Sequence, residues 1–256
     1  MSETLRFTIV IPAKDEAENL PAVVEEITNL LAGESFEIFI VDDGSTDGTP
    51  LVLQQLSRAH HVLRHAAHAR SRGKSAAIMT GTRAACAPVV VTIDGDGQND
   101  PRHLLALVAL AEAPGVGLAA GQRVTHAHPA AKRFASRFAN WVRSRLLQDQ
   151  TRDTACGLKA FRREVFLALP YFASMHRFLP VLVMRAGLAV RHLDVFDRPR
   201  LHGKSKYGLI DRAAVGVVDL ARVWWLTRRR GASMVSKIHP AARADSTEVA
   251  GSSQPN

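Results

Sequence analysis

The sequence predicts an α/β protein with a mostly parallel central sheet flanked by helices, Rossmann-like in plan. Two observations carry that expectation: strand-type apolar runs alternate with amphipathic helical stretches through the first 121 residues, and acids and glycines gather where the strands end. Phe7-Thr8-Ile9-Val10-Ile11 reads as a buried strand. Ala17 to Leu31 follows as a helix, with an apolar face at Leu20, Val23, Val24, Ile27 and Leu31 and acids early. The unit then repeats as strand Glu37 to Val41, helix Thr49 to Ser57, a short strand near Val62-Leu63 and helix Lys74 to Ala85. Strand Val89 to Ile93, helix Pro101 to Ala111 and strand Val116 to Gly121 complete the series. Such units wind right-handedly and place ligands at the carboxyl ends of the strands, so function is expected in the strand-exit loops.

At 256 residues with 46% hydrophobic content, the chain suits one large domain, or a domain with a smaller appendage. Cys86 and Cys156 lie 70 positions apart, a spacing that suggests neither a disulfide framework nor a zinc site, and a reducing compartment is expected. A first strand beginning at Phe7 leaves no room for a signal peptide, and every 18-residue apolar window contains charge, so no membrane span is expected. The net charge of +9 is unevenly placed: residues 1–122 hold 9 Lys/Arg against 15 Asp/Glu, net −6, and residues 123–230 hold 22 against 7, net +15. A basic second half points to an anionic partner, whether nucleic acid, a phosphorylated substrate or an acidic bilayer.

The most informative segment is Val90-Val91-Thr92-Ile93-Asp94-Gly95-Asp96-Gly97-Gln98-Asn99-Asp100-Pro101. A strand delivers two carboxylates, two residues apart, onto a glycine-loosened turn, where Asp94 and Asp96 can face one cation together. Mg²⁺ characteristically sits between one or two carboxylates and substrate phosphates, which is the equipment of an enzyme acting on nucleoside diphosphates. The alternative is that the two acids cap the helix after Pro101.

Other exits are as rich. Strand one ends in Pro12-Ala13-Lys14-Asp15-Glu16, and strand two in Asp42-Asp43-Gly44-Ser45-Thr46-Asp47-Gly48. Acids suit ribose hydroxyls and base edges. Asp43, Ser45, Asp47 and Gly48 also fit the opening of a calcium loop, but its twelfth position is Gln54 and a strand precedes it. A turn with Asp47 or Thr49 as helix cap accounts for one acid, not for both Asp42 and Asp43.

The segments VIPAKDEAENL, VDDGSTDGT, GKSAAIMTG and DGDGQNDP, in this order and spacing, resemble inverting family 2 glycosyltransferases with the GT-A nucleotide-diphospho-sugar transferase fold. RDTACGLKAFRREVF, MHRFLP and RPRLHGKSKYG narrow the similarity to polyprenyl-phosphate glycosyltransferases of the dolichol-phosphate mannose synthase type, over about residues 5–230. The resemblance implies that Pro12, Ala13, Asp15, Glu16, Asp42 and Asp43 hold the nucleoside, with Asp43 on the base or ribose. It implies that Asp94, Asp96 and Gln98 hold Mg²⁺ or Mn²⁺ on the diphosphate. Lys74, at a helix start, is expected to approach the donor, its alternative being a solvated first-turn lysine.

A phosphate acceptor and a diphosphate donor repel each other, and arginine, always charged and bidentate toward phosphate, cancels that repulsion. Family similarity assigns the acceptor phosphate to Arg123 and Arg137, with Ser136 and Arg133 next. Arg133 and Arg137 are four apart on an expected helix, whose plain alternative is a solvated basic face. A phosphate oxygen is already deprotonated near neutral pH, so positioning and charge neutralisation carry the catalysis expected of Asp96, Arg123, Arg137 and Asp153. Asp153 matches an acid that family 2 enzymes often keep near the acceptor, and a strand-end cap is the equal alternative. Cys156 reads as a small core residue.

Residues 198–208 look like the family's acceptor-side loop that closes on the leaving group, with Arg198, Ser205 and Lys206 the best matches; Arg198 and Lys206 are therefore counted with the nucleotide-binding residues. A nucleic-acid-binding loop is the competing reading, weakened because Tyr207 alone could stack on bases. Leu209 to Arg230 reads as an amphipathic interfacial helix, with Trp224, Trp225 and Arg228-Arg229-Arg230 suited to the headgroup level of an anionic bilayer. Packing on the domain or a second subunit is its alternative. Residues 231–256 read as a disordered tail. The expected organisation is thus a GT-A catalytic domain over 1–208, the helix over 209–230 and the tail. His60, His61, His65, His68, His126 and His128 lack metal-ligand spacing and read as surface or polar filler.

The resulting expectation is a metal-dependent inverting glycosyltransferase that moves a sugar from GDP-mannose or a UDP-hexose to dolichyl or undecaprenyl phosphate. It would work peripherally on the cytoplasmic face of the membrane, without nucleic acid, and relatives of this type often meet a separate membrane-protein partner. Transfer to a glycan or lipid hydroxyl, with Asp153 as base, is the second enzymatic reading. A phospholipid- or nucleic-acid-binding module is the reading from another class, and it leaves the Asp94/Asp96 turn unexplained.

Overall fold

The computed structural model describes residues 4–124 and 151–200. In chain order the elements are β1 (Phe7–Ala13), α1 (Leu20–Leu30), β2 (Phe36–Asp42), α2 (Thr49–Ala59), β3 (Leu63–Ala67), α3 (Lys74–Ala84) and β4 (Val89–Thr92). A 3-10 turn (Pro101–His103), α4 (Leu104–Glu112), β5 (Val116–Arg123), β6 (Lys159–Arg162), α5 (Arg163–Ala168), α6 (Met175–Arg185) and β7 (Ala189–Val195) follow. The strands form one sheet in the order β3-β2-β1-β4-β6-β5-β7. All neighbouring pairs are parallel except those of β6, which runs antiparallel between β4 and β5.

Period-two alternation divides the core between the two faces of the sheet. Phe7, Ile9 and Ile11 of β1 pack with Leu20, Val24 and Ile27 of α1 and with Leu104, Leu107 and Val108 of α4. Val10 points the other way, against Ile78 and Met79 of α3 and the Phe161, Phe166 and Phe178 cluster. Three helix starts have a local reason: prolines occupy the first turns of α1 and α2, and Asp100 accepts the Arg102 N–H at 3.0 Å. That cap makes the first turn of the expected Pro101 helix a 3-10 turn, and it is Asp100, not Asp94 or Asp96, that does the capping.

Two sequence boundaries need correction. The expected strand at Val62-Leu63 runs over Leu63–Ala67, hidden by an edge-strand pattern in which only Leu63 is buried. Strand β5 continues to Arg123, so this arginine ends the strand instead of following it. Helix α5 and strands β6 and β7 had no clear period in the sequence, and the helical period of α6, at Met175, Phe178, Leu179 and Leu182, went unread. Because β6 alone is reversed, its amino end shares the sheet edge at which β1, β2, β4, β5 and β7 finish. The residues that precede it, 153–158, are thereby brought beside the Asp94 turn. Among the described residues no helix is long and apolar enough to cross a membrane.

Candidate active site

The first two exits are laced to each other. The Asp15 N–H donates to Ser45 Oγ at 2.8 Å, and Asp15 Oδ1 accepts the Thr46 N–H at 2.7 Å. Glu16 N–H donates to Thr49 Oγ1, and Asp42 Oδ1 accepts the Ser45 N–H at 2.9 Å. Asp15 sits at φ +49°, a left-handed conformation that a non-glycine residue adopts only when its surroundings enforce it. The expected nucleoside residues Pro12, Ala13, Asp15, Glu16, Asp42 and Asp43 therefore do converge on one loop pair.

Asp43, expected on the base or ribose, is held by four hydrogen bonds from the chain. Its Oδ1 accepts bonds from the His68 ring at 2.7 Å and the Arg72 N–H at 2.8 Å, and its Oδ2 from Ser71 Oγ and the Gly73 N–H, both at 2.8 Å. Burial alone would raise its pKa, but the Arg72 amide, then His68, Ser71 and Gly73, outweigh burial and hold it below the ordinary carboxylate value. Asp43 thus organises residues 68–73 into a wall against the first two exits. That wall approaches so closely that a Cβ on Gly44 would lie 2.6 Å from the backbone at Arg70 and Ser71. The would-be calcium ligands diverge accordingly: Asp43 faces this wall, while Asp47 accepts the Thr49 and Ala17 amides.

On the next strand, Asp94 and Asp96 each hold a cation of the protein. Lys74 Nζ, at the start of α3, donates to Asp94 Oδ1 at 2.5 Å, and Arg200 Nη2 donates to Asp96 Oδ2 at 2.6 Å. Gly157 comes so near that a Cβ there would lie 2.5 Å from the Asp94 carboxylate carbon, an approach fixed by the Thr92 hydroxyl on the Gly157 carbonyl at 2.6 Å. Two hard oxygen donors that both draw positive charge are the chemistry a divalent ion needs, with substrate phosphates to complete the shell. Gln98, half-buried, follows on the same turn, and its N–H donates to Asp96 Oδ1 at 3.1 Å. Among the described residues no cluster of three or more His, Cys, Asp or Glu could hold a metal by itself.

Beyond this turn stands Arg123. Its Nε and Nη2 donate to the two oxygens of Asp153 at 2.5 and 3.1 Å, and its Nη1 donates to Asp197 at 3.3 Å. Hydrogen bonding to Asp153 raises the arginine's pKa, and the same contact, against the opposing effect of burial, keeps Asp153 below the usual carboxylate range. Beneath them Lys159 is buried, and its Nζ donates to the carbonyls of Thr154, at 3.2 Å, and Cys156. Burial brings this amine down to about 8 and pushes the Cys156 thiol up to about 11, so Cys156 is no thiolate at neutral pH.

Arg198 is engaged by two acids of the first half of the chain. It donates to Glu26 at 2.7 Å and pairs with Asp100 at 2.7 Å, while its neighbour Arg200, which the sequence did not single out, reaches Asp96. Arg133, Ser136, Arg137 and Lys206, with Ser205, the 209–230 helix and the tail, lie outside the described residues. Sequence reasoning also missed Asn99 and Asp197, which join the two halves of the site; the Asn-Asp-Pro after the carboxylate pair was the signal available for Asn99.

The chain is similar to known proteins in both sequence and fold. The family model described as glycosyl transferase family 2 matches residues 8–169. The chain is 29% identical over 234 residues to the dodecaprenyl-phosphate galacturonate synthase of Rhizobium johnstonii, spanning 88% of this chain and 68% of that protein. It is 29% identical over 209 residues to the undecaprenyl-phosphate 4-deoxy-4-formamido-L-arabinose transferase of Yersinia pestis, spanning 80% and 63%. The chain thus spans about two thirds of the length of these curated relatives. Mannosyl-3-phosphoglycerate synthase from Rubrobacter xylanophilus shares the fold with a TM-score of 0.65 at 18% identity, over 88% of this chain and 76% of that one. Glucosyl-3-phosphoglycerate synthase from Mycobacterium tuberculosis, solved with Mn²⁺, UDP-glucose and phosphoglyceric acid, does so with a TM-score of 0.64 at 20% identity, over 86% and 79%.

Proposed function

The chain belongs to glycosyl transferase family 2, and from that premise we propose that it transfers one sugar, with inversion, from a nucleoside-diphosphate sugar to a polyprenyl phosphate. The observation that carries the acceptor is the Arg123–Asp153 pair. A hydroxyl acceptor needs a base with a pKa near the working pH, and a carboxylate clamped by an arginine and held below its ordinary value is a weak one. A phosphate acceptor needs no base. It needs a cation, and Arg123 supplies one at the edge of the site.

In this reading Pro12, Ala13, Asp15, Glu16 and Asp42 line the nucleoside side, with Asp43 acting through the 68–73 wall. Asp94, Asp96 and Gln98 would hold Mg²⁺ or Mn²⁺, which would supply positive charge to the leaving diphosphate. Lys74 and Arg200 are the protein's own cations at that place. Arg123 seats the acceptor phosphate, and Arg133, Ser136, Arg137, Arg198 and Lys206 keep the roles that the resemblance implies. Asp153 orients Arg123 and faces the positive character that develops on the sugar. The names of the relatives support a polyprenyl phosphate, and the Mn²⁺ and UDP in fold neighbours support a divalent metal. Residues 1–208 act as the catalytic domain, and the basic second half suits work at an anionic membrane surface on the cytoplasmic side.

The test is transfer of labelled sugar from UDP- and GDP-sugars to undecaprenyl phosphate by the purified chain with Mn²⁺. The expected product is an extractable lipid whose label is released by mild acid, as a glycosyl phosphodiester requires. Label appearing only on free glycan or lipid hydroxyls would overturn the acceptor assignment.

A further inference from the structure

A continuous set of hydrogen bonds joins the carboxylate turn to Arg123. Asn99 Oδ1 accepts the Asp94 N–H at 3.2 Å, and Asn99 Nδ2 donates to Asp197 Oδ1 at 3.1 Å. The other oxygen of Asp197 accepts from Arg123 Nη1 at 3.3 Å. Asn99 is buried, and a backbone bridge pairs Asn99 with Asp197 as well. The Arg198 N–H adds a bond to the Gln98 carbonyl at 2.7 Å, so the segment after β7 is pinned across the turn. One amide side chain thereby sets both the backbone of a proposed metal ligand and, through one carboxylate, the arginine proposed for the acceptor.

We propose that Asn99 is a positioning residue that couples the two substrate sites. The inference rests on the donor and acceptor reading above and deepens it. A side-chain amide offers one acceptor and two donors, and here the acceptor and one donor point to opposite halves of the site. Ligand bound at the Asp94 turn fixes Asn99, hence Asp197 and Arg123. The second ligand then meets an arginine already ordered, and its binding carries less loss of conformational freedom. Linkage makes the effect reciprocal.

The experiment uses the full chain and measures the Kd of the nucleoside diphosphate among UDP, GDP and CDP that binds with Mn²⁺, with and without saturating farnesyl phosphate. In the wild type, farnesyl phosphate is expected to tighten the nucleotide about fivefold, within the usual range of coupling between sites. In Asn99→Ala the factor falls to about one, while each ligand alone keeps its affinity within about threefold. Asp197→Asn, which leaves Asn99 an acceptor oxygen but removes the negative charge that faces Arg123, is expected to lose the coupling too, and it decides the matter if Asn99→Ala does not fold. An absent factor in the wild type, or one that survives in the variants as through-space effects between bound charges would, overturns the proposal. Failure of all three nucleotides to bind with Mn²⁺ falls instead on the donor site itself.

Discussion

Asp43 illustrates how a motif residue can be legible in position and not in its bonding partners. Two adjacent acids at a strand exit announce a site, but the four groups that satisfy Asp43 come from His68, Ser71, Arg72 and Gly73, 25 to 30 residues away. No spacing rule foretells such a long-range claim on a carboxylate. Because the folded pKa lies below the ordinary value of 3.8, the stability contributed by the ionised carboxylate is complete above that pH and is lost as the pH falls beneath it. Asp43→Asn leaves buried amides facing an NH₂ group, and is expected to destabilise by about 1–3 kcal/mol at pH 7. Its unfolding free energy should also fall less steeply than the wild type's between pH 4 and 2. Equal steepness in urea titrations of the two proteins would remove Asp43 from the acid response. Gly157 makes the complementary case, since its need arises from contact and not from turn geometry. Gly157→Ala drives a methyl into Asp94, and overpacking of this kind destabilises by about 1–3 kcal/mol. Calorimetry should show both a lowered Tm and a Mn²⁺-nucleotide affinity at least tenfold weaker; unchanged affinity would mean that Asp94 is not a ligand.

The clearest elements in the sequence were β1, β2, β4 and α1, whose apolar periods are strong and whose ends carry turn residues. The elements that escaped are those whose reason is tertiary. Strand β6 is only four residues long and is a strand because β4 and β5 flank it, and β7 lies at an edge with mostly exposed side chains. The segment after β7 matters most for function. It carries Arg200 to Asp96 with side chains 23% and 11% exposed, so a metal at Asp96 would compete with a guanidinium. Pairs near the surface are worth about 0.2–1 kcal/mol, and Arg200→Gln is expected to tighten Mn²⁺ binding without nucleotide by up to about fivefold. Electron paramagnetic resonance of free Mn²⁺ measures this, and weaker binding in the variant would show that Arg200 assists the ion instead of competing with it.

At the scale of the molecule, the charge asymmetry read from the sequence has a structural counterpart. The first half, net −6, contributes the acidic exits of β1, β2 and β4, and the second half, net +15, contributes Lys159, Arg198 and Arg200, with Arg123 at the seam. The fold class and the carboxylate turn were legible because alternation and the Asp-Gly-Asp spacing are local signals. The reversal of β6, which brings Asp153 and Gly157 to the same edge, was not, because pairing direction depends on partners about 40 to 70 residues distant. The account as a whole requires a metal-dependent nucleoside-diphosphate site at that edge. The most direct measurement is the thermal stability of the purified chain with UDP, GDP or CDP, each in Mn²⁺, Mg²⁺ or EDTA, since a ligand of the native state raises apparent stability by mass action. The account predicts a rise with one nucleotide that needs the metal and disappears in a folded Asp96→Ala variant. A rise that persists in EDTA or in Asp96→Ala, or no rise with any of the three, would contradict it.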